Sequence, residues 1–227
     1  MSFVTFIVPS CGRPSLRLSL ASLEAQGDQD WEAIVVFDGV KPTVDPPPKM
    51  KFIEVKKHGH PYGPRNEGLK FVESPWVAFL DDDDRLLTTY VERLKYHVSD
   101  VYEVILFSIL LGGNRLYPPS NRFIRGLVGM SFAVNMDFVQ EEKPVFIKQP
   151  QDDFLFLKSC KEKGARIKCT NEVQYLMRTL SNWKRPNFTE QKASFTGEEK
   201  RGTVEKWTST LQPRSPGRSK RPRILLL

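Results

Sequence analysis

Four consecutive aspartates, Asp81 to Asp84, follow directly on the apolar run Trp76-Val77-Ala78-Phe79-Leu80. Four like charges in a row repel one another. A divalent cation relieves that repulsion, because clustered carboxylate oxygens are natural ligands of Mg2+ or Mn2+. A second acidic pair, Asp152-Asp153, stands where a helix is predicted to begin. A carboxylate there can cap the helix. Asp38 closes another apolar run, Trp31 to Phe37, and Gly39 follows it. Arg65 lies within Gly63-Pro64-Arg65-Asn66-Glu67-Gly68, near a predicted helix start. Both an arginine and a helix N-terminus favour phosphate. Carboxylates on one side and an arginine on the other make a cradle for a metal diphosphate. Each piece also has a plain structural reading. The aspartate run is equally a solvated turn, with Asp84 capping a helix that starts near Thr88. Asp38-Gly39 is an ordinary turn pair. Asp152 and Asp153 suit a helix N-terminus on electrostatic grounds alone.

The elements that must position these residues follow from the hydrophobic pattern. Phe3 to Val8, Trp31 to Phe37, Lys51 to Val55 and Trp76 to Leu80 read as strands. Between them, Pro14 to Gln26 carries Leu16, Leu20 and Leu23 at helical spacing, and Arg65 to Val72 forms a short helix. A helix over Thr88 to Val98 follows the aspartates. This alternation predicts an α/β fold with a mostly parallel sheet and helices on both sides. In open sheets of that kind, ligands bind at the carboxyl ends of the strands. The turn Val8-Pro9-Ser10-Cys11-Gly12-Arg13-Pro14, the pair Asp38-Gly39 and the aspartate run would then meet at one edge. The second half is less regular. Val104 to Leu111 is a strand, Gly126 to Val134 a turn and strand, and Gln151 to about Lys163 a helix stopped by Gly164. Ala165 to Cys169 and Val173 to Arg178 read as two short strands.

The chain has 227 residues, enough for one substantial core with a tail. No apolar stretch is long enough to span a bilayer, and the N-terminus lacks a signal-peptide pattern. Cys11, Cys160 and Cys169 are too few and scattered for a disulfide framework, which fits a reducing, cytoplasmic setting. The net charge is +7, and residues 212–227 hold five basic side chains with no acid. Subtracting those five leaves +2, so the body is nearly balanced and a nucleic-acid partner is not expected. The Pro/Ser/Arg-rich tail predicts disorder after a single domain over residues 1–211.

Taken together, these segments resemble glycosyltransferase family 2. Thr5-Phe6-Ile7-Val8-Pro9-Ser10, Ser22-Leu23-Glu24-Ala25-Gln26 and Trp31 to Gly39 look like its opening. Gly63 to Gly68 looks like its ARN-G helix, Phe79 to Asp84 like its DXD metal motif, and Gln151-Asp152-Asp153 like its later acidic pair. Within that family the nearest likeness is to domains that chlorella viruses use in glycan building, which would place the chain in a host cytoplasm. The resemblance implies a GT-A fold and inverting transfer from a UDP-sugar to a glycan acceptor, with Mn2+ or Mg2+ as cofactor. Pro9 and Ser10 would line the nucleobase pocket, and Arg13 in the same turn would join the donor-binding set. Asp38 would accept the uracil imide N–H, and Arg65 would sit near the base or diphosphate. Asp81 and Asp82 would reach the ribose or metal-bound waters, and Asp83, with Asp81, would hold the ion. Asp153, with Asp152 as the other candidate, would take the acceptor's proton.

There are departures. Phe37 stands where the family usually has a second aspartate before Asp38, and Pro64 where an alanine is common. A sugar-nucleotide pyrophosphorylase is the alternative enzyme class. It would want a glycine-rich first turn, and Ser10-Cys11-Gly12-Arg13 has a single glycine.

Overall fold

Strand β1 (Val4–Ser10) is buried at every position and lies between β2 (Trp31–Asp38) and β4 (Trp76–Phe79), parallel to both. Its Val/Thr/Phe/Ile composition suits a strand covered on both faces. The computed structural model describes residues 1–111, 115–117 and 123–177. The predicted boundary at 211 and the basic tail lie outside those residues.

Strand β3 (Met50–Val55) extends the parallel set at its edge, beside β2. Two helices show how the sheet is covered. In α2 (Tyr62–Leu69), a Cβ added at Gly68 would come within 2.7 Å of Ile7 Cγ2 and 3.2 Å of Val36 Cγ2. The helix backbone therefore rests on the sheet where only glycine fits. On the opposite face, Tyr90 of α3 (Tyr90–His97) meets Phe6 edge-on at 5.4 Å. Ile7 and Phe6 are sequence neighbours, so the strand alternation sends them to opposite faces. Helix α1 (Leu16–Glu24) buries Leu20 and Leu23.

The order of the main sheet is β3-β2-β1-β4-β8-β6-β9-β5. Short β5 (Arg85–Leu86) pairs antiparallel with β9 (Ile167–Met177) at the far edge. Strand β6 (Val104–Leu111) runs parallel to β9, and β7 (Arg115–Tyr117) pairs with β6. Strand β8 (Phe132–Asn135) joins the two halves, antiparallel to both β4 and β6.

Several elements differ from the sequence reading, and β5 and β7 have no counterpart in it. The two short strands expected after residue 165 are one strand, β9. Polar Thr170-Asn171 resembles a turn, but the chain continues through a register shift between Leu106 and Ile109 of β6, where Ser108 Oγ donates to the Thr170 carbonyl at 3.1 Å. Helix α4 (Met136–Glu142) was not expected, because no glycine or proline separates it from β8. Asn135 ends the strand and caps the helix, its Oδ1 accepting the Phe138 N–H at 3.1 Å. Helix α2 begins at Tyr62, three residues before the expected start, so Arg65 falls inside it. Helix α5 (Asp152–Glu162) begins at the acidic pair as expected. Among the described residues no helix is long and apolar enough to cross a membrane. All three cysteines are free thiols.

Candidate active site

The parallel register fixes which side chains meet. Ile7 pairs with both Ile34 and Phe79, and Ser10 pairs with Phe37. The three strands run the same way, so Ser10, Asp38 and Asp81 emerge from one edge of the sheet. That edge carries the chemistry-bearing turns.

Asp82 ties the aspartate run to the first turn. Ser10 Oγ donates to Asp82 Oδ2 at 2.8 Å, and Arg13 Nη1 lies 3.2 Å from Asp82 Oδ1. Arg13 also reaches Asp83 Oδ2 at 3.3 Å. Pro9 is buried just before this turn, paired with Val36. The side chain of Asp82 is 7% exposed and that of Asp83 28%, so Asp83 faces outward more. Burial pushes the carboxyls of both above the usual range, and the neighbouring aspartates push the same way.

Asp84 does not cap the following helix, which starts at Tyr90 with no side-chain cap. It is buried instead, and Tyr175 of β9 hydrogen-bonds to its carboxylate. The same phenol accepts the Asp81 N–H at 3.1 Å.

Asp38 holds the turn after β3. Its Oδ1 accepts the His58 N–H at 2.6 Å and its Oδ2 the Gly59 N–H at 2.8 Å. His58 and Gly63 pack so closely that a Cβ on Gly63 would sit 2.2 Å from the imidazole. The segment from His58 to Gly63 is thus fixed against the end of β2.

Arg65 is only 3% exposed. Its Nη2 reaches Asp81 Oδ1 at 2.5 Å, and its Nη1 reaches Asp152 Oδ2 at 2.7 Å. Asn66, the next residue, donates to the Phe146 carbonyl at 2.8 Å and accepts the Phe146 N–H at 2.9 Å. Phe146 in turn stacks on Phe156 of α5, with centroids 4.0 Å apart. The Arg65-Asn66 dipeptide therefore holds α5 at two places, by charge and by a two-bond clasp. The sequence motif contains Asn66, but its role depends on a residue 80 positions away that no local signal marks. The same is true of Tyr175.

The two carboxylates of α5 stand in different surroundings. Asp152 is ion-paired to Arg65. Asp153 has no ion pair within 4 Å among the described residues; its Oδ1 accepts the Phe154 N–H at 2.6 Å. Burial pushes Asp153 up to about 6, and Asp152 adds to the rise. Gly129 lies beside it, since a Cβ there would be 3.8 Å from Asp153 Oδ2. Gln151 precedes the helix with φ 62° and accepts from Arg125 Nε at 2.8 Å, while Phe123 stacks on Phe154 at 4.8 Å. The segment around 123–129 thus borders the carboxylate. A groove of about 460 Å³ lies elsewhere, where Trp76 begins β4 and Asn135 ends β8. Asp100, Glu103, Asp137, Glu141 and Glu142 line it against one lysine, Lys163, a poor setting for a diphosphate.

Residues 5–123 match glycosyl transferase family 2. The chain belongs to that family. Among solved structures it is similar to S. aureus TarS 1-349, with a TM-score of 0.66 and 18% identity over 81% of this chain and 62% of that one. The same protein in complex with UDP-GlcNAc matches with a TM-score of 0.66 and 18% identity, over 79% and 59%. A mannosyltransferase, PcManGT from Pyrobaculum calidifontis, in complex with GDP-Man and Mn2+, gives 0.60 and 13% identity, over 77% and 56%. The family 2 chain spans between 56% and 62% of the length of these structures. The likeness establishes a GT-A fold. No curated protein matches the sequence. The named structures carry no support for the viral likeness.

Proposed function

We propose that this family 2 chain is a metal-assisted inverting glycosyltransferase that moves a sugar from a UDP-sugar to a hydroxyl of a glycan acceptor. One observation carries the reading. Arg65 joins the aspartate turn to the start of α5, and Asp153 beside that joint is a carboxylate with no ion pair among the described residues and with its pKa raised by burial. A donor at the strand edge and a base on the neighbouring helix are the two parts that a one-step displacement requires.

The nucleotide lies along the turn of Pro9, Ser10 and Arg13. Each oxygen of Asp38 takes one backbone N–H. A carboxylate oxygen has room for a second donor, and here Asp38 accepts the uracil imide N–H. Asp83, with Asp81 beside it, would hold the divalent ion. Among the described residues no three His, Cys, Asp or Glu form a ready cation site. Asp81, Asp82 and Asp83 are consecutive carboxylates, and Arg13 reaches Asp82 and Asp83, so the turn carries negative charge that such an ion would offset. When bound, it supplies neutralisation of charge developing on the leaving diphosphate.

Asp153 accepts the acceptor's hydroxyl proton as that oxygen forms a bond to the anomeric carbon. The bond from that carbon to the diphosphate oxygen breaks with its electrons, and UDP leaves from the opposite face. A base with a pKa near 6 is ionised at neutral pH yet more basic than an ordinary aspartate. Asp152 is already paired with Arg65, so its role is to hold α5.

Calorimetry with a panel of nucleotide-sugars and Mn2+, followed by NMR of the product's anomeric centre, tests the proposal. The expected results are selective binding of a UDP-sugar and an inverted product. A retained configuration, or no binding of any nucleotide-sugar, would overturn it.

A further inference from the structure

We infer that Tyr175 is a positioning residue for the donor site: its phenol ties the two ends of the aspartate turn together and thereby fixes the geometry in which Asp81, Asp82 and Asp83 meet a donor. The inference rests on the proposed reading of that turn.

Tyr175 lies on β9, 94 residues from Asp81, and is fully buried. Strand β9 pairs with β5, the two residues that follow the aspartates, with Leu86 opposite Tyr175. That pairing brings the ring beneath the turn. The hydroxyl accepts the Asp81 N–H at 3.1 Å and hydrogen-bonds to the buried carboxylate of Asp84. A backbone N–H needs an acceptor and a carboxylate needs a donor. A phenol is both at once, and phenylalanine of the same shape is neither. The turn's own backbone closes across the same residues, with the Asp84 N–H donating to the Asp81 carbonyl at 3.1 Å. The phenol therefore braces from outside a loop that the backbone closes from inside. The effect reaches further, because Asp81 also pairs with Arg65 and Arg65 with Asp152.

The molecule contains its own control. Tyr90 is also fully buried, yet its hydroxyl makes no hydrogen bond among the described residues. Tyr90→Phe removes a buried phenol oxygen without touching the aspartate turn.

The test compares Tyr175→Phe, Asp84→Ala and Tyr90→Phe in the full chain. Amide hydrogen exchange over residues 80–86 reports the turn directly and needs no ligand. Calorimetry with UDP and Mn2+ and donor and acceptor KM values report the site. Tyr175→Phe should speed exchange in that segment by about tenfold and weaken UDP by a similar factor. It should raise the donor KM and leave the acceptor KM unchanged. Asp84→Ala keeps the ring and the Asp81 contact, so it should loosen the turn less, and it supplies the readout if Tyr175→Phe does not fold. Tyr90→Phe should change neither exchange over 80–86 nor affinity. Exchange over 80–86 and UDP affinity equal to the parent in both turn variants would overturn the inference. Parent protein that binds no nucleotide, with exchange still accelerated in Tyr175→Phe, would overturn the donor reading and the inferred positioning for it, while leaving the brace itself measured.

Discussion

Arg65 reaches Asp81 with one terminal nitrogen and Asp152 with the other, at 2.5 and 2.7 Å, so a single buried guanidinium joins the aspartate turn to the start of α5. The fork geometry of arginine makes two such bonds possible from one side chain. Arg65→Met should leave two partly buried carboxylates without their cation and cost roughly 3–5 kcal/mol of stability. Arg65→Lys keeps the charge but cannot span both partners, so it should cost less stability. Transfer in that variant should still fall by on the order of 10²-fold, because α5 keeps the Asn66 clasp but loses its direct tie to the aspartate turn. Urea unfolding and steady-state rates on the two variants separate the effects. A fully active lysine variant would mean the bridge is not needed.

How much of this was legible beforehand depended on how local the signal is. The strand ends Ser10, Asp38 and Asp81 are where apolar runs stop and polar residues begin, a boundary written in neighbouring residues. Their meeting at one edge follows from parallel pairing alone. The acidic start of α5 is equally local. The Asn66 clasp on Phe146 and the Tyr175 brace were not legible, since each joins a residue to one 80 or 94 positions away. Neither partner has an unusual neighbourhood in sequence. Helix α4 was hidden for a different reason. Asn135 is both the last residue of β8 and the cap of α4, so no breaker separates two elements of opposite periodicity.

Asp38→Ala should weaken UDP binding by about 10- to 100-fold, since it would remove the proposed imide contact together with the anchored turn at His58 and Gly59. Preference over CDP should collapse as well, because cytosine offers no imide N–H to that carboxylate. Competition calorimetry with the two nucleotides measures both changes. A variant that still favours UDP over CDP would leave Asp38 with the turn alone.

Chelation should weaken UDP by tenfold or more in the parent protein, because the consecutive carboxylates Asp81, Asp82 and Asp83 and the diphosphate repel one another unless a cation lies between them. Asp83→Ala should bind UDP equally with EDTA and with Mn2+, having lost the more exposed of the two carboxylates, while the pairing of Asp82 with Ser10 survives. Titrations of both proteins in the two conditions decide the matter. Equal affinity in the parent would count against an ion between protein and diphosphate.

Asp153→Asn separates catalysis from stability in opposite directions. The amide keeps an oxygen for the Phe154 N–H but cannot take a proton, so transfer should fall by on the order of 10²–10⁴-fold with donor affinity retained. Asp152→Asn should lose less rate and more stability, because its carboxylate is Arg65's partner. In the parent, the rate should rise with pH, tenfold per unit, up to about 6, where Asp153 becomes ionised, and then level off. The stability effect has the reverse sign. Burial raises the folded-state value from 3.8 to about 6, so ionised Asp153 opposes folding. Below about pH 4 the carboxyl is protonated in both states and this cost is absent. It grows between 3.8 and about 6 and is complete above. Asp153→Asn should therefore be more stable than the parent at pH 7.5, by roughly 1–3 kcal/mol, and similar to it at pH 4. Chemical denaturation at the two pH values checks the sign. An asparagine variant that is slower but no more stable at pH 7.5 would show that Asp153 is not held in the desolvated state that makes it a base.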